Sequence, residues 1–419
     1  MRSFPDTAKV NLRGHLDIGG CDAVDLAKEF GTPLYVMDEA TLRERCRRYI
    51  KNFHSYYPNS AVVFASKALS TVGASRIIAS EGLGFDVASG GELYTVLKAG
   101  ADPKTVYFHG NNKSPKEIKE ALELGIGRFV VDNEWELANL DKITRETGLR
   151  AHILFRINPG IEAHTHEFIQ TGKIDSKFGI AQDQLDSMVQ LVGKMKLVDL
   201  VGLHAHIGSQ IFDIKPFVAE VELLLGLITK YDLAEINIGG GLGIAYLPQH
   251  NPPSIEHFAR EIGQALKDKT MAKLVLEPGR SIVGTAGVTL YTIGGTKYIP
   301  GIRKYIFIDG GMSDNPRPIL YDAVYDAVLG NKPEAAPEEE VRVAGRFCES
   351  GDILIKQIKL PKVEVGDILA VACTGAYNYS MASNYNRVGR PAMVMVNEGD
   401  ASVVVKRESY EDLILNDTL

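Results

Sequence analysis

The sequence predicts an α/β fold, a (β/α)8 TIM barrel followed by a C-terminal antiparallel β domain, on three observations. Short strands alternate with helical patterns between about residues 33 and 280. Those strands are almost entirely apolar, as parallel strands buried on both faces should be. After Arg280, strands follow one another without helices of comparable length between them. A chain of 419 residues is long enough for two such domains.

Eight strand candidates form the first part of the chain. Eight strands with helices between them over roughly 250 residues match a (β/α)8 barrel, although a doubly wound open sheet remains an alternative. We place the barrel at residues 38–280 and assign residues 1–37 and 281–419 to the β domain. The candidates are Ala61–Ser66, Gly84–Ala88, Val106–His109, Arg128–Asp132, His152–Asn158, Gly202–Ile207, Glu235–Ile238 and Lys273–Leu276.

The helices between these strands carry recognisable start and stop signals. Asp38 is predicted to be the N-cap of a helix over Ala40–Phe53. Ser114, Pro115 and Glu117 are the cap residue, first-turn proline and reciprocal acid of a capping box. Further helices are predicted over Glu134–Thr147, ended by Gly148, and over Ser254–Leu266.

Seven strands are predicted after Arg280, and the polar, proline-containing stretch 331–340 is predicted to be a surface loop. The strands are Val288–Ile293, Lys304–Asp309, Val341–Phe347, Leu354–Leu360, Asp367–Cys373, Ala392–Val396 and Ser402–Arg407.

Composition argues against several classes of protein. The net charge is −7 and no basic stripe is present, so nucleic acid is not expected as a partner. The four cysteines form no C-x-x-C pair that would indicate a zinc site or a disulfide framework. Neither a secretory signal nor an apolar run of membrane-spanning length is found, so we expect a cytoplasmic protein without a membrane partner.

Catalytic residues in a (β/α)8 barrel lie at the carboxyl ends of the strands, and phosphate-binding sites form in the loops after the seventh and eighth strands. Lys67 follows the first strand, Gly239-Gly240-Gly241 follows the seventh, and Glu277-Pro278-Gly279-Arg280 follows the eighth. Taken singly, each has an ordinary explanation: a solvated lysine, a glycine turn and a surface ion pair. Together they match pyridoxal phosphate, which needs a lysine, phosphate donors and an acid beside its ring nitrogen.

The sixth strand carries His204 and His206, which alternation places on one face. Two histidines at this spacing could bind a metal, but no further acid or histidine on that strand completes a ligand set. We therefore predict no metal and count a ring-bearing histidine as a fourth feature of the reactive end that suits pyridoxal phosphate.

The sequence resembles the barrel-fold pyridoxal-phosphate decarboxylases, which act on diaminopimelate, ornithine or arginine and are related to alanine racemase (fold type III). The likeness runs from about Gly31 to Arg407. It implies that Lys67 carries the cofactor, that Asp86 lies near that lysine, and that His206 stacks on the ring. It also implies phosphate contacts from Ser209, the glycine loop, Gly279 and Arg280. The matching segments are Phe64–Ala68, Phe85–Ser89, His206–Ser209, Gly239–Gly241 and Glu277–Arg280.

Further segments resemble diaminopimelate decarboxylases in particular: Asn158–Gly160, His164–Glu167, Thr171–Gly179 and Cys348–Asp352. The resemblance implies decarboxylation of meso-2,6-diaminopimelate to L-lysine and CO2, with Cys348 or Lys67 as proton donor. It also implies a homodimer in which the segment with Cys348 and Glu349 enters the partner subunit's active site.

Five residues are implied to bind the substrate. Arg317 and Arg280 would clamp the distal carboxylate, Glu349 and Tyr321 would take the distal amine, and Tyr377 would contact cofactor and substrate. Because diamine-like substrates have no distal carboxylate, an arginine there favours diaminopimelate. The ordinary explanation is that Arg317 pairs at the surface with Asp314 or Asp322.

Three alternatives remain. A sister decarboxylase acting on ornithine, lysine, arginine or carboxynorspermidine would differ in the substrate pocket. An amino-acid racemase would place an arginine where Glu277 stands. A catalytically silent homologue would usually lack Lys67 or the Cys348-Glu349 segment. Ala68-Leu69, Gly345-Arg346-Phe347 and Tyr385–Pro391 depart from the family pattern without replacing a catalytic group.

Overall fold

The computed structural model describes residues 3–161 and 176–418. The chain divides into two compact units. We call residues 1–44, 244–250 and 282–419 the β unit, and residues 45–243 and 251–281 the barrel unit. The N-terminal elements are β1 (Lys9–Val10), β2 (Leu16–Ile18), β3 (Cys21–Asp22), α1 (Ala23–Phe30) and β4 (Leu34–Asp38).

Eight parallel strands close into a barrel, which confirms the predicted barrel and rules out the open sheet. Closure is made by the last strand pairing with the first, Leu274 opposite Ser60 and Leu276 opposite Val62. Every predicted strand is present with its ends shifted by no more than a few residues. The strands are β5 (Ser60–Ala65), β6 (Gly84–Val87), β7 (Val106–Phe108), β8 (Arg128–Val131), β9 (Ala151–Arg156), β10 (Val198–His204), β11 (Glu235–Asn237) and β12 (Lys273–Leu276).

The helical start and stop signals operate as predicted. Asp38 accepts a hydrogen bond from the Thr41 amide (3.0 Å), and Ser114 and Glu117 form the reciprocal capping box. Gly148 ends its helix in the left-handed conformation (φ 72°). The helices are α2 (Glu39–Tyr56), α3 (Val72–Ser80), α4 (Gly90–Lys98), α5 (Pro115–Glu123), α6 (Glu134–Thr147), α7 (Leu185–Val192), α8 (Lys215–Tyr231) and α9 (Ile255–Leu266).

The amino-terminal end of the barrel is closed by a polar network. Glu235, at the start of β11, accepts hydrogen bonds from the Tyr107 hydroxyl (2.7 Å) and from Arg128 (3.0 Å). Lys273 donates to the same hydroxyl (3.2 Å). These polar contacts serve stability, because the catalytic groups of such barrels lie at the opposite end.

The remaining elements belong mainly to the β unit, whose largest sheet has nine strands. The elements are α10 (Arg280–Val283), β13 (Gly287–Ile299), β14 (Arg303–Ile308), α11 (Arg317–Tyr321), β15 (Ala327–Leu329), β16 (Glu339–Ala344), β17 (Ile353–Leu360), β18 (Ile368–Ala372), β19 (Ala392–Asn397), β20 (Asp400–Val405) and α12 (Tyr410–Leu413). All seven predicted strands are found.

This sheet is mostly antiparallel, as expected, with two parallel pairings in addition. β4 pairs in parallel with β19, and β14 pairs in parallel with β16. The sequence signals missed β4 and the three-residue β15. Both pair with strands remote along the chain, so their formation depends on tertiary contacts rather than on local pattern. Within the described ranges, no helix has the length and apolar character needed to cross a membrane.

Candidate active site

Lys67 lies in a short 3-10 turn, Ser66–Ala68, directly after β5. Its side chain is exposed while Ser66 and Ala68 on either side are buried. Gly279 makes this turn possible, because a Cβ there would stand about 3.0 Å from the Ala68 Cβ and 3.1 Å from the Ala65 Cβ. The segment that follows β12 therefore packs directly against the turn that carries Lys67.

Glu277, which follows β12, is surrounded by hydrogen-bonding side chains from three other strands. Its Oε1 lies 2.7 Å from His109 Nε2 and accepts from Asn237 Nδ2 at 2.7 Å. Its Oε2 lies 3.2 Å from His204 Nε2. All four side chains are buried. Neither His109 nor Asn237 was singled out in the sequence, although each stands at the carboxyl end of its strand, where the fold places chemistry.

These contacts determine the protonation of Glu277. Burial alone would raise the pKa of this carboxyl, but the neighbouring His109 and His204, both within hydrogen-bond distance, outweigh it and hold the pKa well below the ordinary value. Burial lowers the pKa of His204 to about 4, so this ring is neutral near pH 7. Glu277 is therefore an anion at neutral pH.

Asp86, near the end of β6, is a second buried acid in this group. Its Oδ1 lies 3.8 Å from His109 Nε2. Burial raises the pKa of Asp86, and the neighbouring His109 and Lys67 offset part of that rise. His109 thus stands between two carboxyl groups, one from β6 and one from β12.

His109, His204 and Glu277 also form a set whose potential metal-ligating atoms all lie within 4.8 Å of one another. No acid completes a ligand set on the strand of His204 itself, whereas closure of the barrel brings Glu277 to it from the end of another strand. Each imidazole is joined to Glu277 by a hydrogen bond. We therefore interpret these three side chains as a hydrogen-bonded group.

The glycine loop after β11 is packed so closely that side chains would not fit. A Cβ at Gly239 would lie 2.7 Å from His206 Nδ1, and one at Gly240 would lie 2.2 Å from the Glu277 carbonyl oxygen. Gly241 has a φ of +117°, which favours glycine. His206 itself is half-buried, and burial holds its pKa well below the ordinary value. The structure therefore brings this histidine and the glycine loop together.

Arg280 and Ser209 meet beside that loop. The Arg280 guanidinium donates to the Ser209 hydroxyl from Nη2 at 3.0 Å and from Nε at 3.3 Å. Arg280 is buried, and Ser209 is half-buried. A guanidinium and a hydroxyl held side by side at the carboxyl ends of the strands are suited to bind an anion.

Arg317, in the β unit, lies in a buried aromatic pocket. Its Nη1 donates to the Tyr246 hydroxyl at 3.0 Å and to the Tyr325 hydroxyl at 2.5 Å. The guanidinium carbon lies 5.0 and 5.6 Å from the centres of these two rings. Tyr246 and Tyr325 were not predicted from the sequence.

The two acids proposed as surface partners of Arg317 are bonded elsewhere. Asp314 accepts from the Tyr291 hydroxyl, and Asp322 pairs with Lys356 at 2.9 Å. The ordinary explanation for Arg317 is therefore wrong. Tyr321 ends the same short helix and is half-buried, and Tyr377 is also half-buried with a φ of 66°.

Cys348 and Glu349 are exposed on a loop between β16 and β17. The loop is fixed by buried Asp352, whose Oδ2 accepts from the Phe347 amide at 2.9 Å. The Asp352 Oδ1 accepts from the Met312 amide at 2.8 Å. One carboxylate thus ties the cysteine loop to the segment that leads into Arg317. Of the motifs named from the sequence, His164–Glu167 and part of Thr171–Gly179 lie outside the described residues.

Comparisons with known proteins agree with this geometry. Residues 39–284 match the family model described as pyridoxal-dependent decarboxylase, pyridoxal binding domain. A diaminopimelate decarboxylase from Synechocystis sp. is 48% identical over 99% of this chain and 93% of its own. The chain belongs to the diaminopimelate decarboxylase family. A second relative of that name, from Bacillus subtilis, is 46% identical over 97% of this chain and 96% of its own.

Solved structures support the same family. The crystal structure of a diaminopimelate decarboxylase from M. jannaschii has a TM-score of 0.93 and 38% identity, covering 99% of this chain and 98% of its own. Another structure from that source, in complex with L-lysine, has a TM-score of 0.93 and 37% identity. The fold class and the family resemblance inferred from the sequence are confirmed, and the chain is a pyridoxal-dependent decarboxylase by family.

Proposed function

We propose that this enzyme decarboxylates meso-2,6-diaminopimelate to L-lysine and CO2. Buried Arg317 is the observation that carries the choice of substrate. Its guanidinium is held by two tyrosine hydroxyls, which leaves it positively charged and fixed in direction. A carboxylate on the substrate is the natural ligand for such a group, and ornithine or lysine has none at the distal end. The names of the full-length relatives agree with this choice.

The barrel residues fit pyridoxal 5′-phosphate as the cofactor. Lys67 would hold it covalently, and Arg280, Ser209 and the Gly239–Gly241 loop would bind the phosphate. No side chain fits at Gly240, because its Cβ would lie 2.2 Å from the Glu277 carbonyl oxygen, so an anion can approach the backbone of this loop. The Gly239 amide already donates to Asn237 Oδ1 at 2.9 Å, so we assign the phosphate contact to the amides of Gly240 and Gly241. When bound, the cofactor supplies a conjugated ring that takes up the electron pair released as the carboxylate leaves.

Glu277 would hold a proton on the ring nitrogen, which makes the ring a stronger electron sink. An ionised, fixed carboxylate is required for this task, and the pKa of Glu277 is held well below its ordinary value. Asp86 would lie near Lys67, and His206 would keep the ring in its plane. An amino-acid racemase would need an arginine in place of Glu277.

We assign the remaining groups to residues of the β unit. We assign Cys348 and Glu349 to the active site of a second copy of the chain, so that the enzyme works as a homodimer. Cys348 or Lys67 would return a proton to the substrate carbon after CO2 has left. Glu349 and Tyr321 would bind the distal amine, and Tyr377 would contact cofactor and substrate. The cytoplasmic location expected from the sequence stays a prediction.

CO2 release by the cofactor-loaded enzyme tests the proposal. We would compare meso-diaminopimelate, ornithine, lysine and arginine, with Lys67→Ala as the inactive control. Release from diaminopimelate alone is expected. Arg317→Lys should lower kcat/KM for diaminopimelate by about a hundredfold, because lysine cannot reproduce the planar guanidinium. Release mainly from ornithine or lysine would instead identify a sister decarboxylase and reject the role of Arg317.

A further inference from the structure

The hydrogen-bond donors around Glu277 have no part in the roles assigned above. His109 directly follows β7, His204 ends β10 and Asn237 ends β11. Their side chains are 7%, 1% and 0% exposed, so solvent does not compete for the carboxylate. Three strands separated along the chain thus converge on one acid.

An ionised carboxylate is an acceptor only, with about four lone-pair positions. Oε1 receives His109 Nε2 and Asn237 Nδ2, both at 2.7 Å, and Oε2 receives His204 Nε2 at 3.2 Å. The described residues therefore occupy three of these positions. A proton added to Oε1 would point at two hydrogen-bond donors, so the arrangement favours the ionised form of Glu277. One acceptor position on Oε2 is left.

We propose that His109 and His204 are positioning residues, whose Nε2–H groups hold Glu277 as a fixed carboxylate aimed at the ring nitrogen of the cofactor. This inference rests on the proposed function, because it concerns the same acid. Neither imidazole needs to contact the cofactor. Each acts through Glu277, so its removal weakens the interaction of Glu277 with that nitrogen.

Other charged groups also face this acid. Asp86 from β6 lies 3.8 Å from His109, and Arg156 at the end of β9 lies 3.8 Å from Asp132. Arg156 and Asp86 act electrostatically on the same site, whereas burial raises the pKa of Glu220 on α8 and favours its neutral form. A general loss of activity in a histidine variant would therefore not isolate its role, and a measurement specific for the ring nitrogen is needed.

The test compares binding of two probes to the cofactor-free protein. One is pyridoxal 5′-phosphate, and the other is 1-deazapyridoxal 5′-phosphate, in which C–H replaces the ring nitrogen. His109→Phe and His204→Phe should each lower affinity for pyridoxal 5′-phosphate by about tenfold, the effect of one charge-assisted hydrogen bond. Affinity for the deaza analogue should stay within about twofold, since it offers Glu277 no proton. His204→Gln, which keeps a donor, should recover part of the loss.

Controls separate this inference from folding and from the proposed function. His152→Phe changes a histidine that is 47% exposed at the other end of the barrel, and it should alter neither affinity. Equal losses for both probes, or no loss for either, would overturn the positioning role. A wild-type protein that binds both probes equally would reject the role of Glu277 itself, whereas failure to release CO2 would reject only the substrate assignment.

Discussion

The Lys113 ammonium and the Glu136 carboxylate lie 2.6 Å apart in the barrel unit, with side chains only 1% and 0% exposed. Lys113 Nζ also donates to the carbonyl oxygens of Gly110 (2.8 Å) and Val130 (2.7 Å). The second oxygen of Glu136 accepts from the Asp132 amide at 3.2 Å. This ion pair joins the carboxyl ends of β7 and β8 to α6, and one of its carbonyl contacts, Gly110, follows His109 in the chain.

Glu136→Gln should be strongly destabilising, because it leaves the Lys113 charge buried without its counter-ion. We expect a loss of about 3–5 kcal/mol in the free energy of unfolding, measured with urea. The matched control is Glu120→Gln, which breaks an exposed pair with Lys116 and should cost about 0–1 kcal/mol. Similar losses for the two variants would show that the buried pair does not support the barrel.

Ser209→Ala should weaken phosphate binding specifically. The variant removes the hydroxyl that Arg280 holds at 3.0 Å, and we expect about a tenfold loss of affinity for pyridoxal 5′-phosphate. Pyridoxal without phosphate should bind equally well to variant and wild type. Ser187→Ala, at an exposed position on α7, serves as the control. A parallel loss for both ligands would reject the phosphate role.

His204 should make the cofactor-free protein less stable in mild acid. Its folded pKa of about 4 lies below the ordinary 6.5. Between these two pH values His204 is therefore protonated in the unfolded chain and neutral in the folded chain. Stability from this group is therefore lost as pH falls from about 6.5 towards 4. Between pH 5 and 6 its share of the slope is about 1.2 kcal/mol per pH unit.

His204→Phe should flatten the pH dependence by that amount in urea unfolding series at several pH values. Glu277 adds little slope in this range, because its pKa is held well below the ordinary carboxyl value and it is ionised in both states. His206 keeps its own contribution in both proteins. An unchanged slope in the variant would contradict the buried, neutral state of His204.

Asp352→Ala should loosen the loop that carries Cys348 and Glu349. The variant leaves the amides of Phe347 and Met312 without their carboxylate acceptor, so hydrogen exchange at both should accelerate by about tenfold or more. Exchange in the barrel strand β8 should not change. Uniform acceleration throughout the protein would indicate general destabilisation instead of a local anchor.

Mixing two inactive variants should restore activity if Cys348 acts in a second copy of the chain. Co-expressed Lys67→Ala and Cys348→Ala chains would form mixed dimers in which one of two sites carries both wild-type groups. Random pairing then restores about a quarter of wild-type kcat per chain. Mixed protein no more active than its parents would place Lys67 and Cys348 in the same chain's site.

Short-range signals made much of this fold predictable. Ser114 and Glu117 cap a helix because they lie within one turn of each other, and Gly148 ends one because it adopts a positive φ. Lys67 and Glu277 could be assigned to the reactive end because each directly follows an apolar strand. The parallel pairing of β4 with β19 could not be predicted, since the two strands are separated by most of the chain.

The sequence by itself determined the strand and helix order, the family resemblance and the lysine, glycine and acid positions after β5, β11 and β12. Only the tertiary structure decided which groups surround Glu277 and Arg317. His109 stands 168 residues from Glu277, and Tyr246 stands 71 residues from Arg317. Local propensity carries no information over such separations. Barrel closure and sheet pairing bring these side chains within hydrogen-bond distance, and burial then strengthens each contact by excluding solvent.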